Sequence, residues 1–162
     1  MTKKSSENDI FSPFQIKMHG NKALLDKYLV GFSTVDAALG STVLKAYELG
    51  RKLRDKKISV IGRFSNYLEK EVLYFLLKGD QPIIIVCSVS DEIPFNDRIK
   101  KGIEDGRVLL VKIGKTSKDI CKYDYDIKNF ISQLSSETIF LDNGTIKSSK
   151  KSKSKVAPLL GM

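Results

Sequence analysis

An α/β fold built as an open, mostly parallel sheet of about five or six strands, with helices on both faces, is predicted by three observations. Residues 28–62 read as strand, helix and strand. Residues 83–113 repeat that order, and the breaks between the periodic segments carry Gly, Asn, Asp or Ser. Strands alternating with helical patterns are the signature of βαβ units, whose crossover helices cover a parallel sheet.

The elements follow in chain order. Residues 1–9 are a polar leader expected to be disordered, and residues 10–20, with Phe11, Phe14, Ile16 and Met18 around Pro13, an irregular segment or a short edge strand. His19 is the single histidine and reads as a turn residue beside Gly20 and Asn21. Residues 22–25 suit one helical turn. Residues 28–33 form an uncharged apolar run closed by small polar residues, as a buried parallel strand requires. Val43, Ala46, Tyr47, Gly50 and Leu53 then recur at helical spacing, one stripe laid against a sheet. After the charged turn at 54–57 comes a second strand over 58–62, with the helix as its crossover.

Asn66 followed by Glu69 has the spacing of a capping box, and Leu68, Val72, Phe75 and Leu76 supply the stripe of the helix it opens. Residues 83–88 are an unbroken, mostly β-branched run that needs cover on both faces, which predicts the central strand. A short helix over 97–104 stops at Asp105 and Gly106, and residues 108–113 give the next strand. Residues 114–125 read as a polar loop, Asp126 as the cap of a helix carrying Ile127, Phe130, Ile131 and Leu134, and residues 138–141 as a last strand before a turn at 142–145. The domain is expected over 10–146, with 147–162 a basic, disordered tail.

At 162 residues the chain is one domain, able to bury a core without disulfides or metals. No apolar run reaches the roughly 20 residues of a membrane helix, and the N-terminus lacks a secretory apolar region. Two cysteines without metal-ligand spacing, Cys87 and Cys121, fit free thiols in a reducing cytoplasm. Net charge is +9, and the five lysines of the tail, Lys147, Lys150, Lys151, Lys153 and Lys155, carry more than half of it. Such a tail can lie along a polyanion by releasing counterions, or serve solvation alone.

Ligands of open α/β sheets sit at the carboxyl ends of strands, where helix N-termini offer unpaired N–H groups. The candidates there are Ser33 and Thr34; Gly40, Ser41 and Thr42 at a helix start; Gly62, Arg63, Ser65 and Asn66; and Gly144 with Thr145. Neither main loop is a Walker P-loop or a full dinucleotide fingerprint, and small residues there also satisfy the sterics of a βα turn. Lys115, Lys118 and Lys122, interleaved with Tyr123 and Tyr125, together with Lys128 and Asn129, match a pattern that stacks bases and neutralises phosphates, or one that is merely solvated. No catalytic constellation, metal set or cofactor motif stands out.

Residues 20–25, Ser33, residues 58–64 and the long β-branched third strand together resemble the Rossmann-like core of the DNA-processing protein family, DprA or Smf. Residues 129–135 and 137–141 are similar to that family's Arg-Asn-Arg helix and the strand after it, so the resemblance covers about 18–146. Phe32-Ser33-Thr34 stands where the family has Gly-Ser-Arg, and Ile127-Lys128-Asn129 where it has Arg-Asn-Arg. The resemblance implies a single Rossmann-like domain of the SLOG superfamily in the bacterial cytoplasm that binds single-stranded DNA without catalysis, in DNA uptake or recombination. Its implied partners are single-stranded DNA or a nucleotide, a second copy of the chain as a homodimer, and a recombination protein, with no membrane. The alternative is a nucleotide-ligand sensor or nucleotide hydrolase of the wider superfamily.

Overall fold

The computed structural model describes residues 16–35, 40–88, 97–114, 120–143 and 145–150. In chain order these form β1 (Ile16–Gly20), a 3-10 turn (Lys22–Asp26), β2 (Val30–Thr34), α1 (Gly40–Asp55), β3 (Val60–Gly62), α2 (Tyr67–Leu77), β4 (Ile83–Ser88), α3 (Asp97–Glu104), β5 (Val108–Ile113), α4 (Ile120–Leu134), β6 (Glu137–Asp142) and β7 (Thr145–Lys150). One seven-stranded sheet runs in the order β1-β5-β4-β3-β2-β6-β7. The five inner strands are parallel, and β1 and β7 close the edges antiparallel. The sheet is therefore mixed and has more strands than the five or six expected.

Alternation along the strands divides the core into two layers. Val30, Phe32, Val60, Ile83, Ile85, Val108 and Leu110 face one way, onto Ala46, Leu49 and Leu53 of α1, Leu68, Val72 and Leu76 of α2, and Ile99 of α3. Ile61, Ile84, Val86, Leu109 and Val111 face the other way, onto Leu24 of the 3-10 turn and Ile127 and Phe130 of α4. Three helices cover one face and α4 the other, because the chain winds from β2 through β5 in one direction and then returns past β2 to lay down β6. The strand order thus reverses at β2, a topological switch point.

Four expectations are corrected. All six residues of β4 are buried as the apolar run requires, but the middle strand is the three-residue β3. The expected loop over 114–125 ends sooner: α4 begins at Ile120, since no Gly or Pro interrupts 115–134 and Ile120, Tyr123 and Ile127 keep the helical spacing. The expected tail contributes Lys147 and Lys150 to β7, which pairs with β6 from Asp142↔Thr145 to Glu137↔Lys150. Edge pairing satisfies backbone groups whatever the polarity of the side chains, and a Thr138–Ser149 hydroxyl contact of 2.9 Å and a Lys147–Asp142 ion pair of 3.6 Å add to it. His19 lies on β1 opposite Leu110 rather than in a turn. The leader and the rest of the expected tail after Lys150 lie outside the described residues.

Candidate functional site

A cleft of about 680 Å³ opens at the carboxyl ends of β2 and β3, between α4 and β6. Its position at the switch point follows from the topology, since the helices flanking β2 diverge there to opposite faces. Gly31 sets the approach of α4: a Cβ at this position would collide with the Ser135 hydroxyl and meet Ile131 at 3.4 Å. Gly62 plays the same part on the other side, where a Cβ would come within 2.9 Å of the Phe32 carbonyl and 3.2 Å of the Phe64 ring. Phe64 itself takes φ 52°, a left-handed conformation that costs a bulky residue about 1–3 kcal/mol. Its ring is buried in the core while its neighbours Arg63 and Ser65 line the cleft.

The floor is organised by one carboxylate. Glu69, only 5% exposed, accepts from the backbone N–H of Thr34 at 2.9 Å through Oε2. Its Oε1 accepts from Ser65 N–H at 2.9 Å and Asn66 N–H at 3.4 Å. Asn66 returns the capping box by accepting from Glu69 N–H at 2.8 Å, and its Nδ2 donates to the Thr34 carbonyl at 3.2 Å. The Thr34 hydroxyl reaches both the Val35 carbonyl and Asn66 Oδ1 at 3.2 Å. The ends of β2 and β3 are thereby tied to the first turn of α2. The Ser65 and Asn66 donors, expected to receive phosphate oxygens, already receive carboxylate oxygens.

Above this floor the lining is mixed. Arg63 and the exposed Lys128 supply positive charge, Ser33, Ser65, Ser132 and Thr138 hydroxyls, and Phe32, Ile127, Ile131 and Phe140 apolar surface. Phe140 is 37% exposed, a large aromatic left open on the wall. A mixed cleft that sets an open aromatic ring beside cations and hydroxyls can take an aromatic ring joined to an anion.

Of the residues singled out in the sequence, Ser33, Thr34, Arg63, Ser65, Asn66 and Lys128 meet in this cleft, and Gly62 lies on β3 just beneath it. Gly40, Ser41 and Thr42 open α1 and are not among the described lining residues; Thr42 is fully buried, its hydroxyl without a hydrogen-bond partner among the described residues. Asn129 is half-buried on α4 and also outside the lining. Thr145, Lys147 and Lys150 sit on β7. Lys122 belongs to the early turns of α4, and Lys115, Lys118, Gly144, Lys151, Lys153 and Lys155 lie outside the described residues. Sequence reading missed Phe140, Ile131, Ser132 and the second role of Glu69, whose capping spacing was visible while its bond to Thr34 was not.

The architecture is that of a Rossmann-like α/β domain with an open cleft at the switch point. Its fold is similar to that of DNA processing protein A from Helicobacter pylori, a single-stranded DNA-binding protein, with a TM-score of 0.59 and 16% identity over 77% of this chain and 59% of that one. DNA processing protein A from Streptococcus pneumoniae is also similar, with a TM-score of 0.56 and 12% identity over 86% of this chain and 47% of that one. The chain thus spans less than two thirds of the length of either protein. Neither a family model nor a curated protein matches the sequence. No helix among the described residues is long and apolar enough to cross a membrane.

Proposed function

We propose that the cleft binds single-stranded nucleic acid, DNA in the first instance, without chemistry on it. The observation that carries this reading is the meeting of two cations from different elements, Arg63 after β3 and Lys128 on α4, with the open ring of Phe140 in one cleft at the switch point. Cations beside a stacking ring are the parts from which sequence-tolerant strand binding is built. The shared fold with a DNA processing protein A that binds single-stranded DNA supports the same reading. On this proposal the protein works in DNA uptake or recombination in a bacterial cytoplasm, as a divergent SLOG-type domain. A second copy of the chain and a recombination protein are its proposed partners, and the lysines from 147 onward add non-specific attraction to the strand.

Fluorescence anisotropy of a labelled oligothymidylate, titrated across a salt series, tests it. The proposal expects salt-sensitive binding by the natural chain that persists when Lys151, Lys153 and Lys155 are changed to Gln, and that weakens on Arg63→Ala or Lys128→Ala. Binding that disappears with the three tail lysines alone would reduce the interaction to the tail and reject the cleft as the site.

A further inference from the structure

The network beneath the cleft has the form of an anion site with its anion built in. Backbone N–H groups from two separate strand ends, Thr34 closing β2 and Ser65 and Asn66 after β3, converge on the two oxygens of one carboxylate. Donors of this kind, at a strand end and a helix N-terminus, are what an oxyanion of a phosphate would use. Here they are spent on Glu69, which is buried and fixed by the helix that carries it.

We propose that Glu69 is the specificity-determining residue of the cleft: a covalent stand-in for phosphate that closes the floor to anions and leaves Arg63 and Lys128, among the described residues, as the cleft cations that meet a phosphate. The inference rests on the reading of this cleft as the ligand site, and it names the ligand class. A terminal phosphomonoester, carrying nearly two charges at neutral pH, would have to bring them against a buried carboxylate whose compensating donors are already engaged. An internal phosphodiester carries one charge and passes along the side chains of the rim, while its base enters toward Phe140. The cleft therefore favours a continuous strand over free nucleotides and inorganic phosphate, and Glu69 sets that preference.

The consequence is testable without any nucleic acid. In Glu69→Ala the three N–H groups lose their acceptor and the floor becomes an open phosphate site. Thermal unfolding of the natural chain and of Glu69→Ala is compared in inorganic phosphate and in chloride of matched ionic strength. General salting effects act on both chains, so the difference between them is the readout. The proposal expects 100 mM phosphate to raise the Tm of Glu69→Ala by about 4 °C more than that of the natural chain, the order of shift given by a site filled well above its Kd in a domain of this size. Equal shifts in the two chains would overturn it. Should Glu69→Ala not fold, the backbone amide resonances of Thr34, Ser65 and Asn66 in the natural chain decide: unmoved by phosphate they support a filled site, and displaced by it they refute one. Oligonucleotide binding that fails while the phosphate gain is present rejects the strand reading alone; strand binding with no phosphate gain rejects the role of Glu69 alone.

Discussion

The two ends of α2 are closed by charges of opposite sign, Glu69 buried and Arg107 half-buried, and only one of those ends is a candidate site. At the N-terminus, Glu69 collects the N–H groups of Thr34, Ser65 and Asn66. At the C-terminus, the Arg107 guanidinium donates to the carbonyls of Leu77 at 2.7 Å, Gly79 at 2.6 Å, Gln81 at 3.3 Å and Leu76 at 3.4 Å. Each charge complements the helix dipole and satisfies backbone groups that a helix end leaves orphaned. Burial pulls the Arg107 guanidinium below its ordinary value, and Asp80 and Asp105 pull it back up. The surroundings differ: Arg107 staples the turn between α2 and β4, while Glu69 lies in the floor of an open cleft. The same solution to a helix end is structural where the chain folds back on itself and selective where a cleft opens above it.

Removing the two charges makes the largest difference and breaks the symmetry between them. Glu69→Ala should cost about 3 kcal/mol in denaturant unfolding, roughly one for each orphaned donor, and Arg107→Ala about 2 kcal/mol because water can reach part of its turn. Phosphate should restore stability to the first variant and not to the second. Next in size, Phe140→Ala should weaken oligonucleotide binding roughly tenfold if one base stacks on its ring, with little change in stability at this half-open position. Arg63→Ala and Lys128→Ala should each weaken binding by a smaller factor and reduce the salt slope of log K by about 0.7, the value of one single-strand phosphate contact, whereas Arg107→Ala should leave binding unchanged.

The smallest effect lies between the two ends, where Tyr47 of α1 donates to Glu71 of α2 at 3.5 Å and meets the Phe75 ring edge-on at 5.5 Å. Burial, then the Glu71 carboxylate, raise the Tyr47 phenol above its ordinary 10.0. A group raised in the folded state contributes stability that is present below its unfolded value and lost as pH climbs through its folded one. The natural chain should therefore lose slightly more Tm than Tyr47→Phe between about pH 9 and pH 11.

The parts that the sequence made legible are those encoded locally. The capping box of Asn66 and Glu69 and the buried run of β4 are patterns within a few residues, and they form as read. What escaped depends on distant segments meeting. The amide of Thr34 lies 35 positions from Glu69, and the carbonyls taken by Arg107 lie between 26 and 31 positions before it, so neither role leaves a periodic trace. For β7 the signal was local but set against composition: Asn143-Gly144 is a hairpin turn pair, yet the run Lys147-Ser148-Ser149-Lys150 reads as tail by its polarity. Asn143 indeed takes φ 45°, in the left-handed region such turns use. The cleft was legible only as strand ends; that Phe140 and Lys128 join Arg63 there follows from α4 and β6 returning past β2.

The most direct test of the central claim is where a bound strand touches the protein. Photocrosslinking of a 5-iodouracil-substituted oligonucleotide at saturating concentration, followed by peptide mapping, should place the principal adduct on Phe140, with the adduct retained at that position when Lys151, Lys153 and Lys155 are Gln and reduced in yield in Arg63→Ala. Adducts confined to residues 151–162 or to the outer face of α2, at Tyr67 and Tyr74, would contradict it and move the interface off the cleft.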